Sequence, residues 1–244
     1  MNDIFMSVDC PKADVIGDIH GCFIELTELL VKMGYKIDMD EIKIAMLPEG
    51  RKLIFLGDFT DRGPEPVKVL KLVMDAVDSG KALSVTGNHE VKLLDKLKKN
   101  TMAKEEVMQT INIIKSEGDA FKKEIVDFFD GLPYVIVYND EYLIAHAGLK
   151  EEFQKLYTSD RKLLGKIKAL TVYGDTTGES HEDGRPVRLD WASRYKGKKA
   201  VIYGHSIVET VEWRNNTINI DTGCFNTGIL TALRLPEREI VSNR

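Results

Sequence analysis

Short apolar runs that break at a Gly-Asp or Gly-Asn pair recur three times in the first hundred residues, each followed by apolar positions at helical spacing. Ala13–Ile19 is the first run. Phe23, Leu26, Leu29, Leu30 and Met33 then mark one face of a helix that Gly34 stops. Lys52–Gly57 is the second, and a helix over residues 65–77 follows, with Pro64 and Pro66 near its start, where proline is tolerated. Ala82–Thr86 is the third, leading through Gly87-Asn88-His89-Glu90 into an amphipathic stretch over Val91–Lys98. Three strand–loop–helix units in succession predict an α/β chain with parallel strands, whose polar loops gather at one edge of the sheet.

Beyond this point the pattern changes. Thr101–Phe129 is charged and helix-friendly, and predicts one or two helices forming a cap or insertion near residues 101–130 of a single domain spanning 1–244. Tyr134–Tyr138 and Tyr142–Ala145 read as strands of a hairpin joined by Asn139-Asp140-Glu141. Asp175–Asp190, rich in Gly, Asp and Thr, reads as a long loop, and loops of that length are uncommon without a function. Further strands are expected at Ala200–Gly204, Val208–Trp213, Thr217–Asp221 and Gly228–Leu235.

Charge narrows the partners. With 34 basic against 39 acidic residues, the net charge of -5 argues against a general electrostatic attraction to nucleic acid or an anionic membrane, while leaving room for a local basic pocket. No apolar run approaches the ~20 residues of a membrane span, and the N-terminus lacks a basic segment followed by an apolar one. A cytoplasmic protein without membrane association is expected. A monomer is the default, since no heptad pattern argues for assembly. Cys10, Cys22 and Cys224 form no C-x-x-C pair, so neither a disulfide framework nor a thiolate zinc site is suggested, and Cys22 is expected to be a small buried residue.

The chemistry lies where the strands end. Gly17-Asp18-Ile19-His20-Gly21, Gly57-Asp58-Phe59-Thr60-Asp61-Arg62-Gly63, Gly87-Asn88-His89-Glu90, His146-Ala147-Gly148 and Gly204-His205 together hold four of the five histidines. Side chains at i and i+2 of an extended segment point the same way, so Asp18 and His20 can grip one cation from one side. Asp58 adds a carboxylate able to bridge two cations, Asn88 an amide oxygen, and His146 and His205 imidazoles. This oxygen and nitrogen set, without sulfur, suits manganese, iron, cobalt, nickel or zinc in an open site, and two divalent metals are the natural count. Two cations about 3.5–4 Å apart turn a shared water into the nucleophile, orient it towards a phosphorus and neutralise phosphoryl charge. The leaving oxygen still needs a proton. His89 is the candidate acid, Asp61 would orient it, and Arg62 is the candidate phosphate clamp, a guanidinium matching two phosphoryl oxygens. His181 has no partner in sequence and no assigned role.

These motifs, in this order from Gly17 to His205, resemble the calcineurin-like metallophosphoesterases, in particular the branch that includes serine/threonine protein phosphatases. The segments 173–192, 202–206 and 217–237 are similar to those of PrpE-type bis(5'-nucleosyl)-tetraphosphatases, and also to the phosphatase module of bacterial polynucleotide kinase-phosphatases. The resemblance implies a four-layer αββα sandwich of mixed β-sheets flanked by helices. It also implies activity with manganese or a similar transition metal, and asymmetric hydrolysis of diadenosine tetraphosphate to ATP and AMP. A phosphoprotein or an RNA end is the alternative substrate. The ligands it implies are Asp18, His20, Asp58, Asn88, His146 and His205, with His89 and Asp61 as the acid pair and Arg62 as phosphate binder. Arg188 is the candidate for a second phosphate-binding arginine, and Asp221 matches an acidic position behind the ligands. A nucleotide substrate predicts a base-stacking aromatic, for which Tyr173 and Trp191 are candidates. Two departures stand out: Gly-His-Ser at 204–206 in place of Gly-His-Thr, and a segment Cys224-Phe225-Asn226-Thr227-Gly228 that lacks one glycine the resemblance leads one to expect near position 227.

Overall fold

The computed structural model describes residues 4–154, 160–182, 184 and 186–244. The three repeating units form half of it. Strands β2 (Lys12–Ile16), β5 (Arg51–Phe55) and β6 (Ala82–Ser84) lie parallel, Val15 beside Ile54 and Ile54 beside Leu83. Helices α1 (Phe23–Lys32), α2 (Pro66–Asp78) and α3 (Asn88–Lys99) follow them in turn. Strand β14 (Thr231–Leu235) joins β2 antiparallel, and β15 (Glu239–Ser242) joins β14. A second sheet runs in the order β1 (Phe5–Val8), β7 (Val135–Tyr138), β8 (Tyr142–Ile144), β11 (Ala200–Tyr203), β13 (Thr217–Asn219), β12 (Trp213–Arg214). The expected β7–β8 hairpin forms, with Asn139 and Asp140 both at positive φ as a tight twisted turn requires.

Alternation along the strands builds the layers. Val15 and Ile54 face Ile136, Ile144 and Ile202 of the second sheet across a shared apolar interior. Their neighbours Ile16, Leu53 and Phe55 point the other way, into the helices α1, α2 and α3. On the far side, Val135, Leu143 and Val201 pack against Ile167 and Leu170 of α6 (Arg161–Tyr173). Helix, sheet, sheet, helix is therefore the order of layers, as the resemblance to calcineurin-like metallophosphoesterases implied.

The Thr101–Phe129 stretch forms two helices, α4 (Glu105–Ser116) and α5 (Asp119–Gly131). Three expectations are corrected. Asp175–Asp190 contains the antiparallel pair β9 (Thr176–Ser180) and β10 (Pro186–Arg188), although Asp183 and Arg185 lie outside the described residues. The strand expected at Val208–Trp213 shrinks to Trp213–Arg214. The first run leaves its strand at Ile16, because Gly17 turns the chain into the site loop, its N–H donating to the Thr231 carbonyl. Helix α6, the strands β1 and β15 and the small hairpin of β3 (Lys36–Asp38) and β4 (Lys43–Met46) were not anticipated. A short helix, α7 (Cys224–Thr227), lies between Gly223 and Gly228, where the expected glycine near position 227 is lacking. Cys22 is buried, as expected. No helix among the described residues is long and apolar enough to cross a membrane.

Candidate metal centre and cleft

Every motif residue lies in a loop that follows a strand or at the start of the next helix: Asp18 and His20 after β2, Asp58 to Arg62 after β5, Asn88 and His89 after β6, His146 after β8, His205 after β11, Asp221 after β13. The loops bend sharply. His20, Asp58, Asp61, Arg62 and His205 all adopt positive φ, a region that costs side-chain-bearing residues of order 1–3 kcal/mol each and that clusters at functional sites. Two glycines make room for them. A Cβ on Gly87 would collide with the Asp58 carboxylate, and one on Gly204 with that of Asp18.

Asp58 is the centre. Its Oδ2 lies 3.4 Å from His20 Nε2 and its Oδ1 3.5 Å from His146 Nε2, while Oδ1 also accepts the His89 backbone N–H at 3.0 Å. Two groups of ligand-type atoms share it, each within 4.8 Å: His20, Asp58 and His89 on one side, Asp58, His146 and His205 on the other. Asn88 Oδ1 joins the second at 3.1 Å from His146 Nε2, which in turn lies 3.0 Å from His205 Nδ1. Asp18 accepts the His205 backbone N–H through Oδ2, and its Oδ1 is buried without a hydrogen-bond partner, as is His205 Nε2. The ring orientations are set from behind. His20 Nδ1 meets the Thr60 carbonyl at 2.9 Å and His146 Nδ1 the Leu56 carbonyl at 2.8 Å, so each Nδ1–H donates to a carbonyl and each Nε2 lone pair faces inward.

Carboxyl groups crowd this cluster. Burial and the nearby Asp221 and Asp58 push the Asp18 carboxyl well up, and burial with Asp58 raises Glu90 to about 7. Asp221 is raised to about 6, chiefly by burial. Burial lowers His20 to about 3 and depresses His146 and His205 too, which favours their neutral, metal-ligating forms near neutral pH. Buried carboxylates, neutral inward-facing imidazoles and two orphaned polar atoms fit a pair of divalent cations, which would satisfy all three at once.

His89 differs from the other imidazoles. Its Nδ1 lies 2.5 Å from Asp61 Oδ2, and its Nε2 is 3.4 Å from Arg62 Nη2. Arg62 also reaches His20 Nε2 at 3.1 Å and Glu106 at 3.1 Å, and its guanidinium lies 4.6 Å from the centre of the Phe225 ring. Beside these groups opens a cleft of about 790 Å³, with Asn88, His89 and His205 on its wall. Arg188 lines it, donating to the Tyr173 carbonyl at 2.6 Å. Tyr173 lines it as well and is half exposed, whereas Trp191 is buried against Tyr195 and Tyr203, so its ring is not available to stack on a base. Asp221 is buried, accepting the Gly223 N–H, and His181 is exposed near the β9–β10 turn.

Three contributors escape the sequence reading. Glu90 accepts the backbone N–H groups of Asp58, Gly87 and Phe59, at 2.7, 2.9 and 2.9 Å, and so holds the Asp58 loop in place. Its place three residues beyond Gly87 is the one signal, that of a capping box at a helix start. Thr110 on α4 donates to Asp61 Oδ1 at 2.5 Å. Phe225 on α7 packs edge-on against His20, 5.3 Å between ring centres.

Comparison with known proteins agrees with this geometry. The model of the calcineurin-like phosphoesterase family matches residues 11–209. A protein of Anoxybacillus flavithermus named bis(5'-nucleosyl)-tetraphosphatase PrpE, asymmetrical, is 41% identical over 94% of this chain and 92% of its own. One of the same name from Bacillus subtilis is 40% identical over 94% and 93%. Among solved structures, a candidate diadenosine tetraphosphatase superimposes with a TM-score of 0.68 at 23% identity, covering 98% of this chain and 97% of that one, which speaks for the fold. With its loops, ligand-type residues and matched family model in agreement, the chain belongs to the calcineurin-like phosphoesterases.

Proposed function

We propose that this chain is a two-metal phosphohydrolase that cleaves diadenosine tetraphosphate asymmetrically, to ATP and AMP. The observation that carries the reading is the junction of a buried, doubly shared carboxylate, Asp58, with a cleft of about 790 Å³, a volume suited to a nucleotide. The names of relatives about 40% identical over nearly the whole chain support the substrate.

Asp18, His20 and Asp58 would hold one cation, and Asp58, Asn88, His146 and His205 the other. Manganese is expected ahead of nickel, cobalt, iron or zinc. When bound, such a pair supplies Lewis acidity at the phosphoryl oxygens and a water acidic enough to act as nucleophile near neutral pH. The remaining work falls to the chain. Arg62 binds the phosphoryl group, its guanidinium held on Phe225. Asp61 keeps the Nδ1–H of His89 directed at itself, which leaves Nε2–H to give a proton to the departing oxygen. Arg188 is placed on the cleft wall to meet a second phosphate, and Asp221 backs Asp18. A cytoplasmic monomer, its 244 residues forming one domain with α4 and α5 inserted beside the cleft, completes the proposal.

The test is a turnover assay with manganese in which diadenosine tetraphosphate, a phosphopeptide and a 3'-phosphorylated RNA oligomer are offered side by side. Equal amounts of ATP and AMP, formed far faster than the other products, are expected. Two ADP per substrate, or preference for the peptide or the RNA, would overturn the assignment.

A further inference from the structure

Helix α3 carries more than Asn88 and His89 into the site. Lys92 and Lys96 stand three and seven residues beyond His89, a spacing that keeps all three on one helix face, and all three line the cleft. Lys104, at the start of α4, lines it as well. Neither Lys92 nor Lys104 has an ion-pair partner among the described residues, and the Lys96 ammonium lies 3.9 Å from Asp95. Among the described residues, the carboxylates on the cleft wall are Asp58, at the metal centre, and Glu106, which is occupied by Arg62. On a chain whose net charge is -5, the wall leading away from His89 is thus cationic.

The direction of that wall matters because the proton donor marks the side of the leaving group. At a rise of ~1.5 Å per residue, Lys96 lies roughly 10 Å along the helix from His89, about the reach of a triphosphate. Met102, 79% exposed on the same cleft, offers apolar contact to an attached nucleoside. On the diadenosine tetraphosphate reading given above, we propose that Lys92, Lys96 and Lys104 form a polyphosphate-binding wall that takes the leaving triphosphate. Water then attacks the terminal phosphorus of the chain, the one joined to adenosine and held by Arg62. A bond forms between the water oxygen and that phosphorus, and the bond from the phosphorus to the bridging oxygen of the next phosphate breaks. The bridging oxygen departs as part of ATP with a proton from His89, and the water proton is lost to solvent. AMP carries the water oxygen.

Cleavage in oxygen-18 water, with mass spectrometry of both nucleotides, reads this directly. Label in AMP is expected, and label in ATP would place AMP on the lysine side and overturn the proposal. A chain that hydrolyses p-nitrophenyl phosphate but leaves diadenosine tetraphosphate intact removes the substrate reading and not the wall. In that case inorganic tripolyphosphate, with manganese in excess, is expected to inhibit p-nitrophenyl phosphate turnover about tenfold more tightly than orthophosphate, the worth of one charge-assisted contact. Equal inhibition by the two anions would overturn the wall. Lys92→Gln and Lys96→Gln are each expected to lower kcat/KM for the dinucleotide about tenfold further than for p-nitrophenyl phosphate, with Lys96→Arg restoring most of the loss. Equal falls for both substrates would contradict it.

Discussion

Asp61 Oδ2 lies 2.5 Å from His89 Nδ1, and neither side chain is more than 3% exposed. Burial pulls the imidazole down, yet the Asp58 charge and the bond to Asp61 outweigh it and raise His89 above its ordinary value. A general acid works while protonated, so activity should persist up to that raised pKa and fall as pH climbs through it. Asp61→Asn removes the charge that holds the proton, so the basic limb of the kcat/KM profile should move to lower pH. His89→Ala should cost about 10²- to 10⁴-fold in kcat. An Asp61→Asn profile with an unmoved basic limb would exclude this role.

Metal uptake should release protons. The carboxyls of Asp18, Glu90 and Asp221 are raised in the metal-free chain, so protons remain on them over pH values where free carboxylates have lost theirs. Binding a cation favours the ionised forms, so affinity for manganese should rise with pH through this range. His20, His146 and His205 are depressed, hence already neutral, and add nothing to the release. The gain in Tm on adding manganese to EDTA-treated protein should be larger at pH 7.5 than at pH 5.5. A gain independent of pH would contradict it.

Asp58 belongs to both ligand groups, and Asp18 and His146 do not. Asp58→Asn should therefore lower bound metal, measured by mass spectrometry after gel filtration, from two ions towards none. Asp18→Asn or His146→Ala should leave about one ion in place. Retention of two ions by Asp58→Asn would show that the carboxylate is not shared.

Phe225 is the platform for Arg62, at 4.6 Å from ring centre to guanidinium. Loss of a cation–π contact costs about 0.5–2 kcal/mol, which predicts that Phe225→Ala raises KM by about 2- to 30-fold with a smaller change in kcat. Unchanged KM would mean that Arg62 needs no platform.

Far from the cleft, Asp14 is fully buried and receives Arg51 at 2.7 Å, Tyr35 at 2.8 Å and Arg234 at 3.3 Å. Removing one partner of a buried ion pair costs about 3–5 kcal/mol, and Arg51→Ala should fall near the lower end because Arg234 remains. Denaturant unfolding measures it, and a loss well under 1 kcal/mol would refute the argument.

The chain announces its site more openly than its outline. Asp18, His20, Asp58, Asn88, His146 and His205 are legible because each stands within two residues of a glycine at the end of an apolar run, and the fold brings those ends together. Glu90, Thr110 and Phe225 are not, because each acts on a residue at least 31 positions away: Phe59 for Glu90, Asp61 for Thr110, and His20 for Phe225. Helix α6 did carry a signal, Asp160 capping the Lys162 and Leu163 N–H groups ahead of apolar Ile167 and Leu170, but it went unread. Strands β9 and β10 carried none, since their largely exposed, polar residues lack the alternation that marks a half-buried strand.

The Thr110 hydroxyl ties α4 to Asp61, and through it to His89. Lys104, the residue that precedes the same helix, lies on the cleft wall. A substitution in this helical pair that shifts α4 along its axis would therefore change which phosphate chains fit and how firmly the proton donor is held, in one move. Substrate preference and proton delivery are mechanically geared here, so variants selected for a new substrate should come with altered pH profiles even when no metal-centre residue has changed.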